Sequence, residues 1–163
     1  MSTEMNALHE QLVRMLDWEE AHVGFDKAVE GIPAAKRGVR PAGFEHSAWD
    51  LVEHLRIAQE DILAFCRDAS YKHTMKWPED YWPKKTAPGD AAWKKSLAAF
   101  RRDSDGMKAL VRDTKDLFAP VPTGKPNQTY IRAILLLADH NAYHLGQLVA
   151  VRRALGIWGG GQK

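Results

Sequence analysis

Apolar residues recur at intervals of three and four along four long stretches of this chain, and this spacing limits it to helical folds. Side chains at such intervals lie on one face of an α-helix. Connections rich in proline and glycine, which interrupt helices, separate the stretches. The pattern therefore predicts an all-α fold, a four-helix bundle with amphipathic helices at about 4–29, 48–67, 89–114 and 127–155.

The ends of two predicted helices carry recognisable markers. Ser47, followed three residues later by Asp50, resembles a capping box at the start of the second helix. Gly156 is placed like the glycine that commonly follows a last helical turn. We therefore predict one domain over residues 1–156 and a flexible tail over residues 157–163.

Charge and cysteine content exclude several classes of protein. The 23 basic and 21 acidic residues give a net charge of +2, which is too even for a nucleic-acid-binding surface. The longest apolar run, Ala133–Ala138, is far shorter than the ~20 residues that span a bilayer. The single cysteine, Cys66, excludes an internal disulfide framework. We expect a cytoplasmic protein without a signal peptide that binds neither nucleic acid nor membrane.

Two histidines of the last predicted helix, His140 and His144, lie on its apolar face. They are four residues apart, so both rings project from the same side. A buried neutral imidazole requires a polar partner, and one divalent metal ion satisfies two of them at once. The alternative is a pair of core histidines with hydrogen-bonded nitrogens. The face is defined by apolar residues at the same spacing, namely Leu137, Leu148, Val151 and Leu155.

A third histidine, His54, lies on a neighbouring predicted helix. It follows Leu51 by three residues and precedes Ala58 by four, at the edge of the apolar face of that helix. Inward histidines on two adjacent helices favour a shared metal ion over separate hydrogen bonds. His54, His140 and His144 are therefore the candidate metal ligands.

The segments Ser47–Leu55 (SAWDLVEHL) and Asp139–Gln147 (DHNAYHLGQ) together resemble the DinB-like superfamily. The resemblance implies a bacterial four-helix bundle with up-down-down-up order, related to bacillithiol transferases and to mycothiol-dependent maleylpyruvate isomerase. It also implies a metal held by one histidine of the second helix and by a His-x-x-x-His pair of the last. The residues that match this pattern are His54, His140 and His144.

Three readings of function follow from a three-histidine site. Neutral ligands leave the full charge of the ion and a free coordination position, where the pKa of a bound water or thiol is lowered. The first reading is a metal-dependent transferase or hydrolase of a small molecule, with a low-molecular-weight thiol as co-substrate. The second is a non-catalytic metal-containing binding or stress-response module, and the third a plain helical dimer with buried histidines. Zinc is the first choice of metal and nickel the second.

Three further side chains are candidates to support the metal ligands. Glu19 lies within the apolar stripe of the first predicted helix, and His22 lies near the edge of that stripe. Asp61 follows His54 by seven residues, on nearly the same side of its helix, where it would orient a ligand ring or act as a base. Each of them also has a plain interpretation as a solvent-facing residue. Cys66 is too far along the same helix to be a ligand, at about 18 Å from His54.

The connection over residues 69–88 is rich in aromatic residues. A plain linker needs few of them, so this segment either packs over an end of the bundle or forms a wall or lid for a pocket. The aromatic residues are Tyr71, Trp77, Tyr81 and Trp82.

The last predicted helix has a second apolar face. Four helices offer little to cover two faces of one of them, so we predict a homodimer with an isologous interface. This face consists of Ile131, Leu135, Ala138, Ala142 and Val149.

Overall fold

The computed structural model describes residues 3–17 and 21–159, and every named element in these residues is helical. The all-α prediction is therefore confirmed over the described part of the chain. None of the helices found there combines the length and apolar character needed to cross a lipid bilayer. The elements are α1 (Thr3–Met15), α2 (Phe25–Val29), α3 (Ala48–Arg67), α4 (Asp90–Asp113) and α5 (Tyr130–Ala154), with short 3-10 helices at Ala34–Lys36 and Glu79–Tyr81.

The prediction of one helix over residues 4–29 is wrong. α1 ends at Met15, and a separate short helix, α2, begins at Phe25. Gly24 precedes α2 with an extended backbone (φ −77°, ψ 177°) and accepts the first helical hydrogen bond, from Ala28, at 3.0 Å. Glycine is unfavourable inside a helix. The periodicity of the apolar residues therefore continues across a segment where the helix is interrupted.

The start of α5 also differs from the prediction, by three residues. Thr129 is its N-cap and its hydroxyl accepts from the backbone N–H of Arg132. Thr129 has an extended backbone (φ −86°, ψ 162°), so Gln128 precedes the helix, and its carbonyl accepts a hydrogen bond from the N–H of Val121 at 2.9 Å. At the start of α3, by contrast, the capping box of Ser47 and Asp50 is confirmed.

α3 packs against both α4 and α5, which places it at the centre of the bundle. The amide of Gln59 donates to the Phe100 carbonyl, and Leu63 lies against Gly106 further along both helices. α3 and α4 therefore run in the same direction. The contact at Gly106 is close, since a Cβ atom there would lie 2.9 Å from Cδ2 of Leu63.

α3 and α5 run in opposite directions. His54, near the start of α3, meets His144, while Gln59 meets Asn141, which comes earlier in α5. Two apolar clusters fill the interior on either side of these polar contacts. One centres on Leu51, Leu55, Phe100 and Leu148, and the other on Leu63, Met107, Ile134 and Leu137.

The buried guanidinium of Arg152 joins α5 to α2 and to the segment after α5. It donates to the carbonyls of Lys27, Ala28 and Glu30, and also to that of Ile157. Ile157, at the start of the predicted tail, packs against the core. Residues 160–163 of that tail lie outside the described residues.

Candidate metal centre

His54 lies in the second turn of α3 and is buried, with 1% of the residue exposed to solvent. Its Nδ1 atom lies 2.9 Å from the backbone carbonyl oxygen of Tyr81. A carbonyl oxygen can only accept, so Nδ1 carries the proton and Nε2 is left with a free lone pair. The Tyr81 carbonyl thus sets the tautomer that a metal ligand requires.

His140 and His144 lie one helical turn apart on the face of α5 that meets α3. Nδ1 of His144 lies 2.8 Å from the side-chain oxygen of Gln147. Nδ1 of His140 has a longer contact of 3.4 Å with the side-chain oxygen of Asn141. Both rings therefore direct Nε2 toward His54. His144 is buried, whereas His140 is half-buried, so the cluster is reached from the side of His140.

The three Nε2 atoms converge on one point. Nε2 of His54 lies 3.0 Å from that of His140 and 3.1 Å from that of His144. Metal–nitrogen bonds of 2.0–2.1 Å give nitrogen pairs separated by about 2.9 Å at right angles and about 3.3 Å in a tetrahedron. Among the described residues, these three histidines are the group that could hold a metal ion.

The protonation of these rings supports a cation between them. Nε2 of His54 has one lone pair, which can share a proton with one neighbour only. The second nitrogen contact would then place two lone pairs about 3 Å apart in a buried setting, which is unfavourable. A divalent ion satisfies all three lone pairs together, so the donor set fits a metal.

The pKa values of the three imidazoles favour the neutral form that binds metals. Burial, with smaller contributions from the neighbouring histidines, lowers the pKa of His54 to about 4, against the opposing effect of the Tyr81 carbonyl. Burial also lowers the pKa of His144 to about 4, and it lowers the pKa of His140. All three rings are therefore neutral at pH 7 without an ion.

The aromatic connection between α3 and α4 forms a wall on His54. The Trp82 ring stacks on the His54 ring with centroids 4.0 Å apart and planes at 6°. His46 stacks against Trp82 with centroids 3.9 Å apart, and its plane is inclined by 14°. Part of the 69–88 connection therefore lies directly against a candidate metal ligand. Sequence reasoning assigned no role to His46.

Comparison with protein families agrees with this arrangement of histidines. The sequence pattern of the DinB superfamily matches residues 17–148. The chain belongs to the DinB superfamily. The matched region includes all three histidines of the centre. Comparison with curated proteins and with solved structures gives no match.

Asp61 supports this DinB-superfamily centre indirectly. Its carboxylate accepts hydrogen bonds from the hydroxyls of Tyr71 and Tyr81, each at 2.6 Å, and the structure gives it no bond to a ligand ring. Burial, aided by this carboxylate, raises the pKa of both phenols, which stay protonated as donors. Asp61 therefore fixes the segment whose Tyr81 carbonyl orients His54.

Of the other two supporting candidates, His22 makes no described contact with the candidate ligands. His22 is exposed, and its Nδ1 atom lies 3.0 Å from the carbonyl of Val23. Glu19 lies outside the described residues. Cys66 belongs to the second apolar cluster, where burial raises the pKa of its thiol to about 12. Its place in that cluster agrees with its exclusion as a metal ligand.

A buried pair of amides reaches His140 and was not found by sequence reasoning. Gln59 donates to the Phe100 carbonyl at 2.6 Å and accepts from the amide of Asn141 at 3.1 Å. Asn141 in turn faces Nδ1 of His140. Their positions inside the apolar stripes of α3 and α5 were the available signal, because buried amides require partners.

Proposed function

We propose that this protein binds a divalent metal ion through His54, His140 and His144 and uses it as a transferase or hydrolase of a small molecule. The convergence of the three Nε2 atoms is the observation that supports it. A bound divalent ion supplies Lewis acidity, which lowers the pKa of a coordinated water or thiol. A low-molecular-weight thiol is the co-substrate that we propose.

The surroundings of the three histidines favour a catalytic centre over a purely structural one. Structural zinc sites have four protein ligands, whereas catalytic sites keep a position for water or substrate. Three histidines form the group found among the described residues, and His140, at its edge, is half-buried while the other two are buried. The protein's own part is to hold three imidazoles neutral and oriented, through the Tyr81 carbonyl, Gln147 and Asn141.

We propose zinc as the first choice of metal and nickel as the second. Imidazole nitrogens suit several divalent transition metals, so the choice depends on geometry and supply. Zinc accepts a three-histidine set with an open fourth position and does not require redox chemistry.

We also infer an up-down-down-up order for the four long helices. α3 and α4 run in the same direction, and α5 runs opposite to α3. α1 runs opposite to α4, since His9 contacts the carbonyl of Thr114 and the later Asp17 pairs with the earlier Lys108. The inferred order is the one that the superfamily resemblance implies.

Elemental analysis of untagged protein tests the metal assignment directly. We expect about one zinc or nickel per chain in the wild type and trace metal in a variant with all three histidines changed to alanine. Because that variant removes buried side chains, the wild type with and without chelator provides the second measurement. Metal should raise the melting temperature. At a free metal concentration of about 100 times Kd, binding should add about 2.7 kcal/mol to the free energy of unfolding. Wild type that retains no metal and melts identically in both conditions would contradict the proposal.

A screen of thiol co-substrates tests the reaction. We expect the metal-loaded wild type to consume a low-molecular-weight thiol together with an electrophile, and the metal-free protein not to do so. A metal-loaded protein that turns over no thiol or hydrolysable substrate would instead be a binding or stress-response module.

A further inference from the structure

Exposed apolar side chains lie near the candidate metal centre. Seven large hydrophobic side chains of the described residues are exposed, and three of them border the centre. These are Trp77, which is 68% exposed, Tyr143, which is 64% exposed, and Leu136, which is 45% exposed. Isolated exposed apolar residues are ordinary, but a cluster of them beside a polar site marks a place where ligands bind.

Ring contacts place these side chains beside the metal ligands. The Tyr143 ring meets the His144 ring edge-on with centroids 4.9 Å apart. The Trp77 centroid lies 6.4 Å from that of His54. Leu136 lies one turn before His140 on α5, and Tyr143 lies three residues after it, so both share the side of His140. We call Trp77, Tyr143 and Leu136 the apolar rim.

The apolar rim lies where a ligand would enter. Trp82 and the Tyr81 carbonyl cover His54 from the loop side, and α3 and α5 enclose His144. His140 is half-buried, whereas the other two candidate ligands are buried, so this side of the cluster is the less covered one. Along this side of α5, positions 136, 140, 143 and 147 carry no charged residue. The carboxylate of Asp139 lies beside this row and acts electrostatically on His140, so an anionic ligand tail is disfavoured there, whereas a flat ring would stack on Trp77 or Tyr143.

We propose that the apolar rim is a substrate subsite for a planar apolar group, such as an aromatic ring, attached to a head that coordinates the metal. This inference rests on the proposed metal centre and adds the substrate class to it. The head reaches the three Nε2 atoms, and the ring is covered by Trp77 and Tyr143.

Two hydroxamates that differ only in their apolar group provide the test. Benzohydroxamate and acetohydroxamate have the same chelating head, and their affinities for zinc-loaded protein are measured by titration calorimetry. We expect benzohydroxamate to bind about tenfold more tightly, because covering on the order of 60 Å² of apolar surface gives that ratio. The double variant Trp77→Ala/Tyr143→Ala should bind both compounds with nearly equal affinity. Phe118→Ala, which removes a side chain that is 60% exposed outside the apolar rim, should keep the wild-type ratio.

The outcomes separate this inference from the proposed function. If zinc is retained but the wild type binds both hydroxamates equally, the apolar rim is not a subsite, although the metal centre stands. A double variant that keeps the wild-type ratio overturns the inference as well. If zinc is not retained and neither compound binds, the metal centre itself fails. The wild type could also be a dimer that the double variant converts to a monomer, with no change in the hydroxamate ratio. That result would assign the apolar rim to contact with a second copy of the chain and would also overturn the inference.

Discussion

A backbone carbonyl, rather than a side chain, sets the tautomer of His54. The sequence identifies the three histidines, because their spacing puts them on apolar faces of two helices. It does not identify the Tyr81 carbonyl as their partner, because that depends on the path of an irregular segment 27 residues away. Asp61 was a candidate from its position on α3, but its contact with two tyrosines could not be read from that position.

Loss of the Asp61 carboxylate should weaken metal binding without removing any ligand. Asp61→Ala leaves the hydroxyls of Tyr71 and Tyr81 without their acceptor, so the Tyr81 carbonyl is held less firmly against His54. We expect metal affinity to fall about tenfold, in the range for groups that support metal ligands. A competition titration with a zinc indicator measures it. Asp113→Ala, at an exposed position, is the matched control, and equal affinities in the two variants would contradict the role of Asp61.

The metal-free protein should lose stability as the pH falls from about 6.5 to about 4. His54 and His144 have an ordinary pKa of 6.5 in the unfolded chain, and burial lowers it to about 4 in the folded protein. The unfolded state therefore binds more protons in this window, and the free energy of unfolding falls with falling pH. Urea unfolding in chelator at several pH values measures the slope. In the double variant His54→Asn/His144→Asn, the free energy of unfolding should depend less steeply on pH. Identical slopes in the wild type and the variant would count against the lowered pKa values.

At the scale of elements, apolar periodicity predicted the long helices and failed where the backbone breaks. α3, α4 and α5 agree closely with the prediction because their apolar stripes end near capping residues. α1 and α2 were joined in the prediction because the apolar spacing continues past Met15. The break depends on Gly24 and on tertiary contacts such as those of Arg152, which no local pattern records.

Arg152 should be one of the most important residues for stability outside the metal centre. Arg152→Met keeps an apolar stem but removes donors to four carbonyls, including those of Lys27, Ala28 and Glu30. Leaving buried acceptors without partners should cost about 2–4 kcal/mol of unfolding free energy. Urea unfolding of Arg153→Met, at the exposed neighbouring position, provides the control. A difference below about 1 kcal/mol between the two variants would refute this role, given the usual effect of surface changes.

At the scale of the whole molecule, the second apolar face of α5 is largely covered within one chain. Ile131, Ala138, Ala142 and Val149 are half-buried, and Leu135 is 47% exposed. The sequence argument for a homodimer assumed that four helices could not cover this face. α5 contacts α1, α2 and α3, so the face has more neighbours than the periodicity revealed.

The homodimer nevertheless stays a prediction that sedimentation equilibrium can test. A dimer has twice the 18.4 kDa mass of one chain. If Leu135 lies in the interface, Leu135→Asp should shift the wild-type dimer to single chains, because a buried unpaired charge is costly. Lys94→Asp, at an exposed position on α4, is the control for the added charge. A wild type that sediments as one chain at all concentrations would contradict the prediction.

The metal centre joins parts of the chain that are far apart in sequence. The partners of His54 follow it by 86 and 90 residues, in the last long helix. During synthesis, a nascent chain that has emerged only through α4 holds one of the three ligands and cannot form the centre. Under the proposed metal binding, ion capture would therefore report that the final helix has docked, and we expect it late in folding because so long a loop must close first.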